Sequence, residues 1–251
     1  MVRLPAPAAG ADAAGDGTAR PMSVYQERPA DLVGLYPRDS APTMRVNFIA
    51  SIDGAVSVDG LSAGLQGPGD KQIFDTLRMV CDALVVGSGT VKAEKYDALR
   101  LTPEARAWRR QHGIPEFPLM VIVSNSLDLD YDQLVFADAP IKPIILTGPG
   151  TDLGAAGEHA EVLVADGLAD GIAQLNARGA TQILGEGGPR LLGSMIAEDV
   201  VTELCLTVSP RLVGGGPGRI SAGAPAVPRE MSLRHILSRE DMLFLRYARR
   251  R

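Results

Sequence analysis

The stretch C81-DALVVGSGTVKAEK-Y96 runs from an unbroken apolar segment through Gly87-Ser88-Gly89-Thr90 into a segment with helical character. An apolar run of this length without alternation suits a strand buried on both faces, as in a parallel sheet. The turn after it has two readings. Glycine there can be a purely steric device of a strand-to-helix connection. It can also let backbone amides at a helix start approach an anion closely.

Working outward, the same alternation recurs along the chain. Upstream, RVNFIAS (45–51) reads as a strand and DKQIFDTLRMV (70–80) as a helix, with Ile73, Phe74, Leu77 and Val80 at helical spacing. Downstream, TPEARAWRRQHG (102–113) carries Thr102 as N-cap, Pro103 at the first helical position and Gly113 past the end. Strands follow at LMVIVS, PIILTG and EVLVAD, then a helix at LADGIAQLNARG, a strand at QILGEGG, a helix at PRLLGSMIAED and strands at ELCLTVSPRLVGG and MLFLRYARR. Short apolar runs between helices predict an α/β fold: a central, mostly parallel mixed sheet with helices on both faces and antiparallel C-terminal strands. One domain is expected over 41–251. Residues 1–40 are expected to form an arm that is at least partly disordered, because the first 20 hold almost no large apolar side chains.

Composition sets bounds on function. At 251 residues, 45% hydrophobic, with a mean hydropathy of +0.06, the chain can bury a large core. A net charge of −5 and a pI near 5.3 argue against a nucleic-acid footprint. The basic cluster Arg246 to Arg251 reads as a solvated end. Only Cys81 and Cys205 are present, which excludes a disulfide framework and a four-thiolate zinc site and suggests core thiols. No segment approaches the ~20 apolar residues of a membrane helix, and no secretory signal pattern opens the chain, so a cytoplasmic location and no membrane partner are expected.

A second strand-turn-helix segment, ILGEGGPRLL, puts Gly185, Gly187 and Gly188 after a strand, with Pro189 suited to a first helical turn. Two such turns in one sheet could grip one diphosphate. A Rossmann site fits poorly, since its motif follows the first strand, whereas this turn follows the second. A short-chain dehydrogenase would need Tyr and Lys four apart, and none of the five tyrosines has such a partner.

The loop after the first strand is dense in polar side chains: Asn47, Ser51, Asp53, Ser62 and Asp70. Asp53-Gly54 also suits an ordinary tight turn, and Asp70 an N-cap. Arg78 can complement its helix end or hold a phosphate, and Arg100 can be a phosphate partner or a surface charge. Glu186, a carboxylate between glycines, offers lone pairs to paired N–H donors on a flat heterocycle, although a loop glutamate can also be simply solvated.

Four segments, VNFIASIDGAV, LRMVCDALVVGSGTVKAE, ILGEGGPRLLGSMI and VTELCLTVSPRLVGG, resemble in order and spacing the pyrimidine reductases of riboflavin biosynthesis, across about Arg45 to Tyr247. The resemblance implies a dihydrofolate reductase-like fold, NADPH as cofactor and a homodimer; the apolar ELCLTVSPRLV suits an extended strand at a subunit seam or, equally, a core strand. It further implies reduction of 5-amino-6-(5-phosphoribosylamino)uracil. Cofactor positions would be Gly87, Gly89, Thr90, Val91, Glu94, Gly185 and Gly187 to Leu192, that is Gly188, Pro189, Arg190, Leu191 and Leu192, with Ser124 and Asn125 near the 2′-phosphate. Ser62, Arg78 and Glu186 would be substrate positions, with Arg100 as a phosphate partner, and the polar loop adds Asn47 and Asp53 as candidates for the same site.

Departures from the family pattern matter as well. The chain carries no zinc deaminase: His-Ala-Glu at 159–161 has no Pro-Cys-x-x-Cys after it, and no metal is expected. AEKYDALR differs from the family's usual segment before its arginine. Glu186 and Asp70 are the expected catalytic residues; a pterin or dihydrofolate reductase, with Asp70 holding the amidine edge, is one alternative. A non-catalytic NADP-binding protein is another.

Overall fold

A computed structural model describes residues 29–94, 96–216 and 218–250. Residues 1–28 of the expected 1–40 arm lie outside these.

Among the described residues, nine strands form one sheet: β1 (Thr43–Ser51), β2 (Ala83–Gly87), β3 (Leu119–Val123), β4 (Ile144–Thr147), β5 (Glu161–Val164), β6 (Gln182–Gly185), β7 (Glu203–Ser209), β8 (Met231–Arg239) and β9 (Met242–Arg249). The spatial order is β5-β4-β3-β2-β6-β1-β7-β9-β8. The first seven strands pair in parallel, and β9 joins β7 and β8 antiparallel, which is the mixed sheet expected. The helices are α1 (Pro29–Leu35), α2 (Asp70–Val80), α3 (Ser88–Ala93), α4 (Pro103–Gln111), α5 (Leu134–Ala137), α6 (Ala156–His159), α7 (Leu168–Ala177) and α8 (Pro189–Ala197), with a 3-10 turn at Ser62–Leu65.

The unbroken apolar runs are explained by two cores, one on each face. In β2, Leu84 and Val86 join a cluster with Ile73 and Leu77 of α2, while Ala83 and Val85 join another with Leu175 of α7 and Met195 of α8. A strand covered on both faces has no polar side to present, so alternation disappears. Both cysteines are buried and free, as core thiols, and burial pushes each thiol up to about 12.

Three expectations change. The domain starts before residue 41: Leu32 and Tyr36 are buried in the α2-side core. The reason is a buried cluster in which Glu203 pairs with both Arg45 and Arg246. Those guanidiniums donate onward to Pro37 O (3.0 Å) and Leu35 O (2.8 Å), fastening the end of α1 to the sheet. The basic cluster is consequently not solvated throughout, since Arg246 holds buried Glu203 and Arg249 holds Asp199, while Arg250 pairs with Glu230 on the exposed surface. Finally, β7 lies between β1 and β9, so both of its edges are already paired; the outer strands of the sheet are β5 and β8, and on β8 Leu233 and Ile236 are 46% and 54% exposed. Periodicity misses β8 because a register shift between Leu233 and His235 breaks its alternation.

Candidate active site

Every parallel strand points its carboxyl end to one side of the sheet, where open α/β sheets commonly bind ligands. There a cleft of about 1240 Å³ opens, lined from the loop after β1 to the turns after β2, β3, β4 and β6.

The two glycine turns meet in this cleft. Gly87 N donates to Gly187 O at 2.7 Å, so the turn after β2 is tied to the turn after β6. A side chain at Gly188 would lie 2.7 Å from Thr90 Oγ1, and Gly187 has φ +104°, a conformation that favours glycine. Gly89 has open space where a side chain would stand. Gly87, Gly89, Thr90, Glu94, Gly188, Pro189, Arg190 and Leu191 all line the cleft, and so do Ser124 and Asn125 at the end of β3. Ser124 is buried and its Oγ accepts from Leu127 N; Asn125 Oδ1 accepts from Gly148 N at 3.0 Å, leaving its amide NH₂ to the cleft. Arg190 has no ion-pair partner among the described residues.

Four expected cofactor residues stand behind the wall. Val91 and Leu192 are buried in the two opposite cores. Gly185 is a packing residue, since a side chain there would meet Met44 Cε at 2.8 Å and Met195 Cε at 3.3 Å. Gly187 contributes its carbonyl to the link between the turns and does not line the cleft.

At the other end, strand alternation directs Glu186. Leu184 packs toward α2, Gly185 faces Met195 of α8, and Glu186 returns to the α2 side. There Arg78, on the last turn of α2, grips it with a bidentate fork: Nε to Oε1 at 2.9 Å and Nη2 to Oε2 at 2.6 Å. The Tyr96 hydroxyl donates to Oε2. The guanidinium lies 3.9 Å from the Phe74 ring centroid. Burial opposes the Arg78 charge, but Glu186 outweighs it and raises the Arg78 pKa. Burial, and then the Glu186 charge, push the Tyr96 phenol well above its usual range. The lone pairs expected to meet a heterocycle are thus largely taken by Arg78 and Tyr96.

Asp70 is a half-buried carboxylate with capacity to spare. It is the first residue of α2 rather than its N-cap, which is Gly69, and Thr207 Oγ1 donates to Oδ1 at 2.8 Å. Burial raises its pKa, with the Thr207 bond working the other way. Asn47 and Ser62 line the same end, and Asn47 Oδ1 is buried without a hydrogen-bond partner.

Two expected substrate residues are elsewhere. Asp53 accepts from the Ser51 hydroxyl and from the backbone amides of Val213 and Gly214, so it fastens two loops together outside the cleft wall. Arg100 is exposed and forked onto Asp138, 2.8 Å from Nε to Oδ2, and does not line the cleft. Tyr96, Phe74, Thr207 and Arg219 escaped the sequence reading. A signal existed for Phe74, four residues before Arg78 on α2, and for Thr207, a polar side chain at an inward position of β7. None existed for Tyr96 or Arg219.

Among the described residues there is no cluster of three or more His, Cys, Asp or Glu able to hold a metal, and His159 stacks on Tyr131. No described helix is long and apolar enough to cross a membrane.

Comparison with known proteins gives the family and the fold. The 2,5-diamino-6-ribosylamino-4(3H)-pyrimidinone 5′-phosphate reductase of Archaeoglobus fulgidus is 27% identical over 181 residues, 69% of this chain and 83% of the relative. The riboflavin biosynthesis protein RibD of Mycobacterium tuberculosis is 28% identical over 180 residues, 71% of this chain and 45% of that protein. A pyrimidine reductase-like protein of Corynebacterium diphtheriae has the same fold, with a TM-score of 0.75 at 24% identity over 84% of this chain and 92% of that one. The family model of the RibD C-terminal domain matches residues 42–243, and the chain belongs to that family.

Proposed function

We propose that this chain is an NADPH-dependent reductase of a ribosylamino-pyrimidinone 5′-phosphate, 5-amino-6-(5-phosphoribosylamino)uracil, yielding the ribitylamino form. The observation that carries this reading is the joining of the two glycine turns, Gly87 N to Gly187 O, along one wall of a cleft whose far end holds Asp70 and the Glu186–Arg78–Tyr96 cluster. The dinucleotide fits the residues present: the absence of a side chain at Gly188 lets its backbone approach Thr90 closely where the two turns line the cleft, Gly89 is unobstructed, and the cleft is large enough for two ligands end to end. When bound, the nicotinamide supplies the hydride.

The chain's own residues would bind and orient. Thr90, Gly188, Pro189 and Arg190 would hold the diphosphate, and Ser124 with the Asn125 amide the 2′-phosphate. Glu186 fixes the Arg78 guanidinium and the Tyr96 phenol on the floor. Arg78 Nη1 makes no hydrogen bond and lies 3.9 Å from Asp97, so it can meet a substrate oxyanion. Asn47 Oδ1 would accept a ring N–H, which relieves a buried acceptor otherwise left unpaired. Rate would come mainly from holding the two reacting carbons in register.

A second reading, reduction of a dihydropterin, is favoured by Asp70. Its second oxygen has no protein partner, and a carboxylate there suits the paired donors of an amidine edge. A cytoplasmic homodimer joined along the exposed apolar side chains of β8 is part of the proposal.

The test follows NADPH absorbance with the purified chain, offered the pyrimidine phosphate and dihydrofolate separately. Oxidation with the pyrimidine is expected. Preference for dihydrofolate would select the second reading, and oxidation with neither would refute both and favour a non-catalytic NADP-binding protein.

A further inference from the structure

The connection from β7 to β8 crosses from the substrate loop to the cofactor turns, and it is fastened at both ends. At its start, Asp53 accepts from Val213 N and Gly214 N, the latter at 2.8 Å. The Ser51 hydroxyl first, then these amides, hold the Asp53 carboxyl down at about 2, so this anchor is charged at neutral pH. At its end, Ala222 N donates to Pro189 O at 2.9 Å, and Ala222 O sits directly over Gly193, where a Cβ would lie 1.8 Å from it. Only glycine at 193 permits that approach.

Between the anchors, Gly218 and Arg219 line the cleft. Arg219 has no ion-pair partner among the described residues, and neither does Arg190. Every other described Lys or Arg that lines the cleft is already paired, namely Arg78 with Glu186. Arg190 follows Pro189, whose carbonyl accepts from Ala222 N, so the two unpaired arginines belong to segments that are fastened together beside the turn after β6. Two uncompensated cations lining one cleft from segments fastened together suit a ligand with two adjacent negative groups.

We propose that Arg219 is a binding residue for the diphosphate of the dinucleotide, acting opposite Arg190, and that Asp53 and Gly193 position it by anchoring the segment that carries it. This rests on the cofactor reading above. It gives Asp53, which does not line the cleft, a part in cofactor affinity.

The experiment is isothermal titration of the full chain with NADPH and with NADH. Arg219→Ala changes an exposed side chain and leaves the fold intact; it should weaken both dinucleotides by a similar factor of about 10 or more, because both carry the diphosphate. Asp53→Asn should weaken them in the same sense, and in the Arg219→Ala background should add little further loss. An unchanged affinity in Arg219→Ala, or a loss confined to NADPH, overturns the assignment of Arg219. Fully additive losses in the double variant overturn the positioning role of Asp53. Wild-type chain that binds neither dinucleotide would instead refute the cofactor reading itself.

Discussion

Replacing Glu186 by glutamine tests whether the carboxylate works chiefly as the anchor of Arg78. Both side chains are nearly enclosed, Arg78 at 11% and Glu186 at 3% exposure, and two charged hydrogen bonds join them. Removing one partner from a buried ion pair costs about 3–5 kcal/mol, because the other charge stays in a poor solvent. Glutamine keeps one acceptor oxygen, and Asp97, 66% exposed at 3.9 Å, returns about 1 kcal/mol at most through a screened contact. The expected net loss is about 2–4 kcal/mol, or a fall in Tm of roughly 5–15 °C for a chain of this size. Urea unfolding followed by circular dichroism measures it. The double variant Arg78→Met, Glu186→Gln removes both charges and leaves an apolar side chain against Phe74, so it should be more stable than Glu186→Gln alone. Turnover should fall steeply in Glu186→Gln, while NADPH affinity stays within about 2-fold, since Glu186 faces the substrate end. If the losses of Glu186→Gln and of Arg78→Met, measured singly, simply add in the double variant, the pair is not coupled and the anchoring role is wrong.

Asp70→Asn should weaken substrate binding yet stabilise the fold at neutral pH. Burial raises the folded pKa of Asp70, so the ionised form is disfavoured above that pKa and the penalty vanishes as pH falls below the unfolded value. The stability advantage of the variant should therefore shrink on acidification; an advantage that grows would contradict the assignment. Arg100→Ala should leave kcat and KM for the pyrimidine phosphate unchanged, as its fork is spent on Asp138, and a large rise in KM would return it to the substrate site. Arg109 is fully enclosed and donates to the carbonyls of Met79, Cys81 and Pro115, so Arg109→Ala should cost about 3 kcal/mol or more in urea unfolding. Asn125→Ala should narrow the preference for NADPH over NADH severalfold, and an unaltered ratio would remove it from the 2′-phosphate site.

Local rules make the elements legible. Ile73, Leu77 and Val80 repeat at helical spacing, Thr102 caps α4 by accepting from Ala105 N at 3.2 Å, and Pro189 opens α8. Each depends on residues within a few positions, where backbone sterics and side-chain reach decide the outcome. The family resemblance then brings most of the cofactor wall with it, because those residues sit in continuous turns.

What the sequence by itself determined is the parallel α/β architecture, the two glycine turns and the acidic residue between the glycines. Only the tertiary structure decided which charges meet. Arg78 and Glu186 are 108 residues apart, and Arg45 and Glu203 are 158 apart. Such partners are chosen by strand order and register, which depend on many weak contacts summed over two cores and leave no mark at any single position. For the same reason Asp53, Arg100 and Arg219 could not be ranked from the letters alone. Each is a charged residue in a loop, and only the path of the chain turned one into a staple, one into a surface pair and one toward the cleft.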